Sequence, residues 1–127
     1  MKKSFTASLD HLYEMLSFIR EQATEAGFSE VPLHKIELAS EEALVNIISY
    51  GYTNRAGTID IECKTSQVNE FQIILSDLGI EYNPLNAPKN IDLLAPLESR
   101  IIGGYGIYFM IKMMDRIDYK REDGCNI

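Results

Sequence analysis

Two stretches constrain the fold more than any others: "GTIDIECKT" (57–65) and "EFQIILSD" (70–77). The first sets Ile59 and Ile61 in alternation with acidic residues, and the second repeats the pattern with more apolar content. A period of two is the signature of a strand with one buried face. With "SQVNE" between them they are predicted to form a hairpin, whose apolar face has to be covered. The residues ahead of it supply the cover. Leu9, Leu12, Leu16, Ile19 and Ala23 recur at helical spacing up to Gly27, a suitable helix stop. Ser8 or Asp10 is the expected cap of that helix. After the turn "FSEVP", Pro32 stands just before or at the start of a second helix running to about Tyr50 and ended by Gly51. "KKSFTAS" reads as a first strand, "GGYG" opens a third helix (Ile107 to Met114), and "DRIDYKRE" reads as the last strand. The order β-α-α-β-β-loop-α-β predicts an α+β sandwich, with helices on one face of a mixed sheet. Between the hairpin and the third helix, residues 79–102 carry Pro84, Pro88 and Pro96 and little periodicity, and are expected to be a long, mobile loop, of a length that is usually functional or disordered.

Size and charge narrow the function. At 127 residues the chain is expected to be one domain (1–127), and 46% apolar residues are enough for a core. A net charge of −7 argues against nucleic acid, which requires a basic face. The two cysteines, Cys63 and Cys125, lack metal or redox spacing and read as free cytosolic thiols. His11 and His34 are isolated, which argues against zinc. The opening "MKKSFTASLDHLYEML" is interrupted by Asp10, His11 and Glu14, so a signal peptide is not expected. No apolar run approaches the roughly 20 residues of a membrane helix. The expectation is a soluble, cytoplasmic protein without a membrane partner.

Three constellations carry candidate chemistry. In "SEEALVNIISYGY", Ile36, Ala39, Ala43, Ile47 and Tyr50 share one arc of the second helix, and Glu42 and Asn46 sit one turn apart at its edge. A half-buried carboxylate without a cation beside it is costly. The pair is either a polar helix edge meeting water, or an amide oxygen for Mg²⁺ beside a carboxylate that orients or deprotonates a nucleophile. In "LSDLG", Asp77 and Gly79 end a strand. They form a solvated turn, or an acceptor for an exocyclic amine such as that of adenine. In "GGYG", the glycines are turn residues, or they expose N–H groups to an anion at a helix N-terminus.

Taken together, "EALVNIISYGY", "LSDLG" and "GGYGIYFMIKMMDRIDYKREDGCNI" resemble the asparagine box and the two glycine boxes of the GHKL (histidine-kinase-like) ATPases. Within them the chain resembles the RsbW-type anti-sigma-factor serine kinases. The resemblance covers nearly the whole chain, in order. It implies the Bergerat fold, a mixed, mostly antiparallel sheet covered on one face by three helices. It also implies ATP with Mg²⁺ and phosphorylation of a serine or threonine on an anti-sigma-factor antagonist, a STAS-domain protein. A sigma factor and a second copy of the chain, in a homodimer, are further candidate partners. By the same resemblance Glu42 is the catalytic glutamate and Asn46 the magnesium ligand. Asp77 and Gly79 face adenine, and Gly103, Gly104 and Gly106 face the phosphates. Residues 80–102 form the lid, and Arg100 is a candidate cation for the triphosphate. Two positions depart from the pattern: Glu81 stands where the first glycine box often has its second glycine, and Tyr50 where relatives often have histidine.

The competing expectation is a binding module that holds nucleotide only to shape a surface sequestering a sigma factor or other regulator. Glu42 favours the enzyme, because binding ATP does not need a base. A sensor histidine kinase is not expected, since no phospho-acceptor helix pair precedes the first strand.

Overall fold

A computed structural model describes residues 1–52, 57–66, 70–81, 85 and 110–127. Strand β1 spans Lys2–Thr6 and is followed by a 3-10 turn, Leu9–His11. Helix α1 is Leu12–Glu25, and α2 is Glu30–Asn46, which widens into a π turn over Ile47–Gly51. Strands β2 (Thr58–Thr65) and β3 (Phe71–Asp77) form the expected hairpin. Residues 110–113 are helical, and a final hairpin pairs β4 (Arg121–Glu122) with β5 (Cys125–Asn126). The five strands lie in the order β1-β2-β3-β5-β4, every described pairing antiparallel. This is the α+β arrangement that the hairpin and its preceding helices demand.

Register decides what faces the helices. Directly opposed residues in a sheet share a face. Phe5 opposes Ile59, Ile59 opposes Asp77, and Asp77 opposes Asn126, so one transverse row runs across four strands. Ile61 with Leu75 and Cys63 with Ile73 continue the same face. Met15, Phe18, Ile19 and Ala23 from α1, and Leu33, Ile36 and Leu44 from α2, pack onto it. Met15, Ile19, Leu44, Ile59 and Ile61 are fully buried, each worth about 1.5–3 kcal/mol relative to exposure. The Phe5 and Phe18 rings meet at 5.8 Å, and Arg20 ties α1 to Glu37 of α2 at 2.9 Å. Burial pushes the Cys63 thiol up to about 11, so it packs as a small apolar group.

The helix boundaries follow local chemistry, with three corrections. Gly27 takes φ +100, its N–H bonds Thr24 O at 3.0 Å, and the Phe28 N–H bonds Ala23 O at 3.3 Å. That pair of bonds satisfies carbonyls left open at the end of α1. Neither Ser8 nor Asp10 caps α1: the Ser8 hydroxyl meets His11 Nδ1 at 2.7 Å, and Asp10 lies within the 3-10 turn. Leu9 lies in the 3-10 turn ahead of α1 and is 60% exposed, while Met15 and Phe18 of α1 are buried. The last expected strand is the third correction. Residues 116–120 are not strand, and only Arg121–Glu122 of that stretch pairs, turning through Asp123 (φ 53) and Gly124 (φ 77) into Cys125–Asn126. Two successive left-handed residues match the twist of a tight hairpin. Lys120 and Ile127 close it with reciprocal backbone bonds of 3.0 and 2.9 Å. Of the expected lid, only Ile80, Glu81 and Leu85 are among the described residues, and of the third helix only its later part.

Candidate functional site

Helix α2 brings Glu42 and Asn46 to its last turns, where the backbone loosens into the π turn. Asn46 is 4% exposed, and its Nδ2 has no hydrogen-bond partner among the described residues. Leaving such a group unpaired costs about 1–3 kcal/mol, so the site spends stability on an Nδ2 that no described residue uses. Glu42 is half-buried one turn earlier. Burial raises its carboxyl above the ordinary 4.5, and the neighbouring Glu41 charge raises it further. Among the described residues no lysine or arginine pairs with it. It is a carboxylate tuned toward accepting a proton.

At the sheet end, Asp77 is 4% exposed. Its Oδ1 accepts from the Gly79 N–H and from Asn126 Nδ2, each at 2.9 Å. Its Oδ2 accepts nothing among the described residues. A carboxylate oxygen in that condition is a ready acceptor for a ligand N–H. Gly79 is buried beside it. Tyr52 connects the two halves. It is 5% exposed, its hydroxyl donates to Thr58 O at 2.8 Å, and it accepts the Leu78 N–H at 2.7 Å. The residue that follows the π turn therefore holds the Asp77–Gly79 loop.

The structure thus buries Asn46, Asp77 and Gly79 and half-buries Glu42, all four predicted from sequence. Arg100, Gly103, Gly104 and Gly106 lie outside the described residues. Glu81 is exposed. Tyr52, Tyr119, Arg121 and Asn126, which the sequence does not single out, hydrogen-bond around the same candidate site. The Asp123-Gly124 dipeptide, a strong signal for a tight hairpin, marks where the last of them would fall, two residues on.

The donor set suits a magnesium nucleotide. Among the described residues no cluster of three or more His, Cys, Asp or Glu side chains can cage a metal. Mg²⁺ usually takes one or two protein oxygens and completes its shell with phosphates and water, and the side-chain oxygen of Asn46, on the same amide as the unpaired Nδ2, is of the type that can serve. A model of the histidine kinase-like ATPase domain matches residues 5–127. The chain belongs to that family. Curated relatives named serine-protein kinase RsbW, from Bacillus thuringiensis (strain Al Hakam) and Bacillus cereus (strain 03BB102), are 25% identical over 108 residues, covering 83% of this chain and 67% of theirs. One from Bacillus anthracis (strain A0248) is equally similar. In this histidine kinase-like ATPase domain, the half-buried Glu42 and the unpaired Asn46 therefore stand in a fold whose family handles ATP.

Proposed function

We propose that the chain is an ATP- and Mg²⁺-dependent serine/threonine protein kinase that phosphorylates an anti-sigma-factor antagonist of the STAS type, and so regulates a sigma factor. The observation that carries the reading is the α2 pair: a buried amide with an unmet hydrogen bond, one turn from a carboxylate whose proton affinity is raised. Similarity to proteins named serine-protein kinase supports it.

Bound MgATP would supply the terminal phosphoryl group, and the metal would offset the charge left on the departing ADP. The chain's own residues do the rest. Asn46 offers its amide oxygen to the metal, and Asp77 Oδ2 accepts an N–H of the base. Glu42 orients the acceptor hydroxyl and takes its proton as that oxygen gains the phosphoryl group and ADP leaves. The decisive experiment incubates the protein with γ-labelled ATP, Mg²⁺ and candidate STAS-domain proteins from the same organism. Label on a serine or threonine of one of them supports the kinase. Nucleotide-dependent complex formation without label would make the chain a sequestering module instead.

A further inference from the structure

Asn126 does more than end a strand. It is 5% exposed, lies on the two-residue strand β5 and stands directly opposite Asp77. Its Nδ2 donates to Asp77 Oδ1 at 2.9 Å and to Ile80 O at 2.8 Å, with Gly79 O at 3.5 Å. Its Oδ1 accepts from the Tyr119 hydroxyl at 2.5 Å and from Arg121 Nη1 at 3.0 Å. These partners fix which way the amide points. A guanidinium only donates, so the atom facing Arg121 is oxygen; the atom facing a carboxylate and a carbonyl is nitrogen. Arg121 Nη1 also donates to Gly79 O at 2.9 Å, bracing the same loop from behind.

The consequence falls on Asp77. With the Gly79 N–H and Asn126 both on Oδ1, that oxygen is occupied, and Oδ2 is left for a ligand. Without Asn126 the carboxylate can rotate and share either oxygen. Asp77↔Asn126 is the one described register pair joining β3 to β5, so this junction rests on the side-chain bond as much as on the ladder.

We infer that Asn126 is a positioning residue: it locks Asp77 with Oδ2 alone open to the base, and thereby sets the preference for purines that carry an exocyclic amine. The inference rests on the nucleotide-site reading above. The test is calorimetric titration with ATP and with purine riboside triphosphate, which lacks the amine, on wild type, Asn126→Ala and Arg121→Ala. Wild type should prefer ATP. Asn126→Ala should lower that preference about tenfold, the scale of a lost hydrogen bond to a charged group, with affinity for the amine-free nucleotide kept within about twofold. Arg121→Ala, changed at an exposed residue, should lower it about threefold while leaving the melting temperature nearly unchanged. An equal loss for both nucleotides, or a preference retained, overturns the inference. Should Asn126→Ala fail to fold, Arg121→Ala decides alone, and an intact preference there overturns it. Wild type binding neither nucleotide overturns the site reading and this inference together. ATP binding with unaltered discrimination in both variants overturns this inference alone.

Discussion

Tyr52 lies so close to Gly57 that a Cβ at position 57 would stand 2.2 Å from the tyrosine ring. The ring is buried and its hydroxyl holds both Thr58 O and the Leu78 N–H, so it has no room to retreat. Gly57→Ala is therefore expected to destabilise the protein by about 2 kcal/mol, within the range for overpacking. Tyr52→Phe keeps the shape and removes both hydroxyl bonds, for about 1–3 kcal/mol. Urea denaturation of both variants measures this. Nucleotide affinity should also fall in Tyr52→Phe, because the Leu78 N–H it releases lies next to Asp77.

Asn46→Leu should separate stability from function. It removes a buried polar group with an unmet bond, so the nucleotide-free protein is expected to gain up to about 1 kcal/mol. The Mg²⁺-dependent part of ATP binding should disappear. Thermal melts without ligand, and calorimetry with and without Mg²⁺, read the two effects. A lower melting temperature together with intact metal dependence would contradict both.

Glu42→Gln should leave ATP affinity within a few-fold while transfer to the acceptor serine falls by roughly 10²-fold or more, the scale of a lost general base. The wild-type carboxyl sits above its ordinary 4.5 in the folded protein because burial and Glu41 disfavour its charge. The folded state thus holds the Glu42 proton more tightly than the unfolded chain does. Its stabilising contribution is present below about 4.5 and lost as pH rises through the folded value. Glu42→Gln should accordingly be the more stable protein at pH 7, with the difference closing on acidification. Transfer by wild type should rise with pH through that same titration, and denaturation and rate profiles between pH 4 and 8 check the two together.

Gly27 provides a control remote from the site. Its φ of +100 is strained for any residue with a side chain, although a Cβ there would meet nothing within 4 Å. Gly27→Ala should cost about 1 kcal/mol and leave nucleotide binding unchanged, as melting and calorimetry would record.

How far the sequence reveals this arrangement differs by element. The β2–β3 hairpin was legible because alternation is a two-residue signal that tertiary packing only reinforces. The α2 pair was legible because Glu42 and Asn46 break an apolar arc at helical spacing. The final hairpin was misread. "DRIDYKRE" has strand-like composition, but only its last two residues, Arg121–Glu122, pair before the left-handed Asp123-Gly124 turn, and the inner strand is the short Cys125–Asn126 beyond it. Asn126 and Tyr52 were invisible as site residues for another reason. Their partners lie 49 and 26 positions away in Asp77 and Leu78, and a single sequence carries no sign of such pairings. Leu9 shows a smaller limit, since one turn of 3-10 helix shifts the phase on which a stripe of leucines depends.

The transverse row of Phe5, Ile59, Asp77 and Asn126 also sets the order in which the molecule can mature during its own synthesis. Its first three members, and both helices, emerge from the ribosome before Asn126 does. Asp77 precedes its partner by 49 residues, which at about 5–20 residues per second amounts to roughly 2–10 s of translation. In that interval the Asp77 carboxylate has no Asn126 to fix it. On the reading proposed above, a nascent chain that lacks Asn126 would not yet be selective for its ligand, and competence would arrive with the closing hairpin rather than gradually.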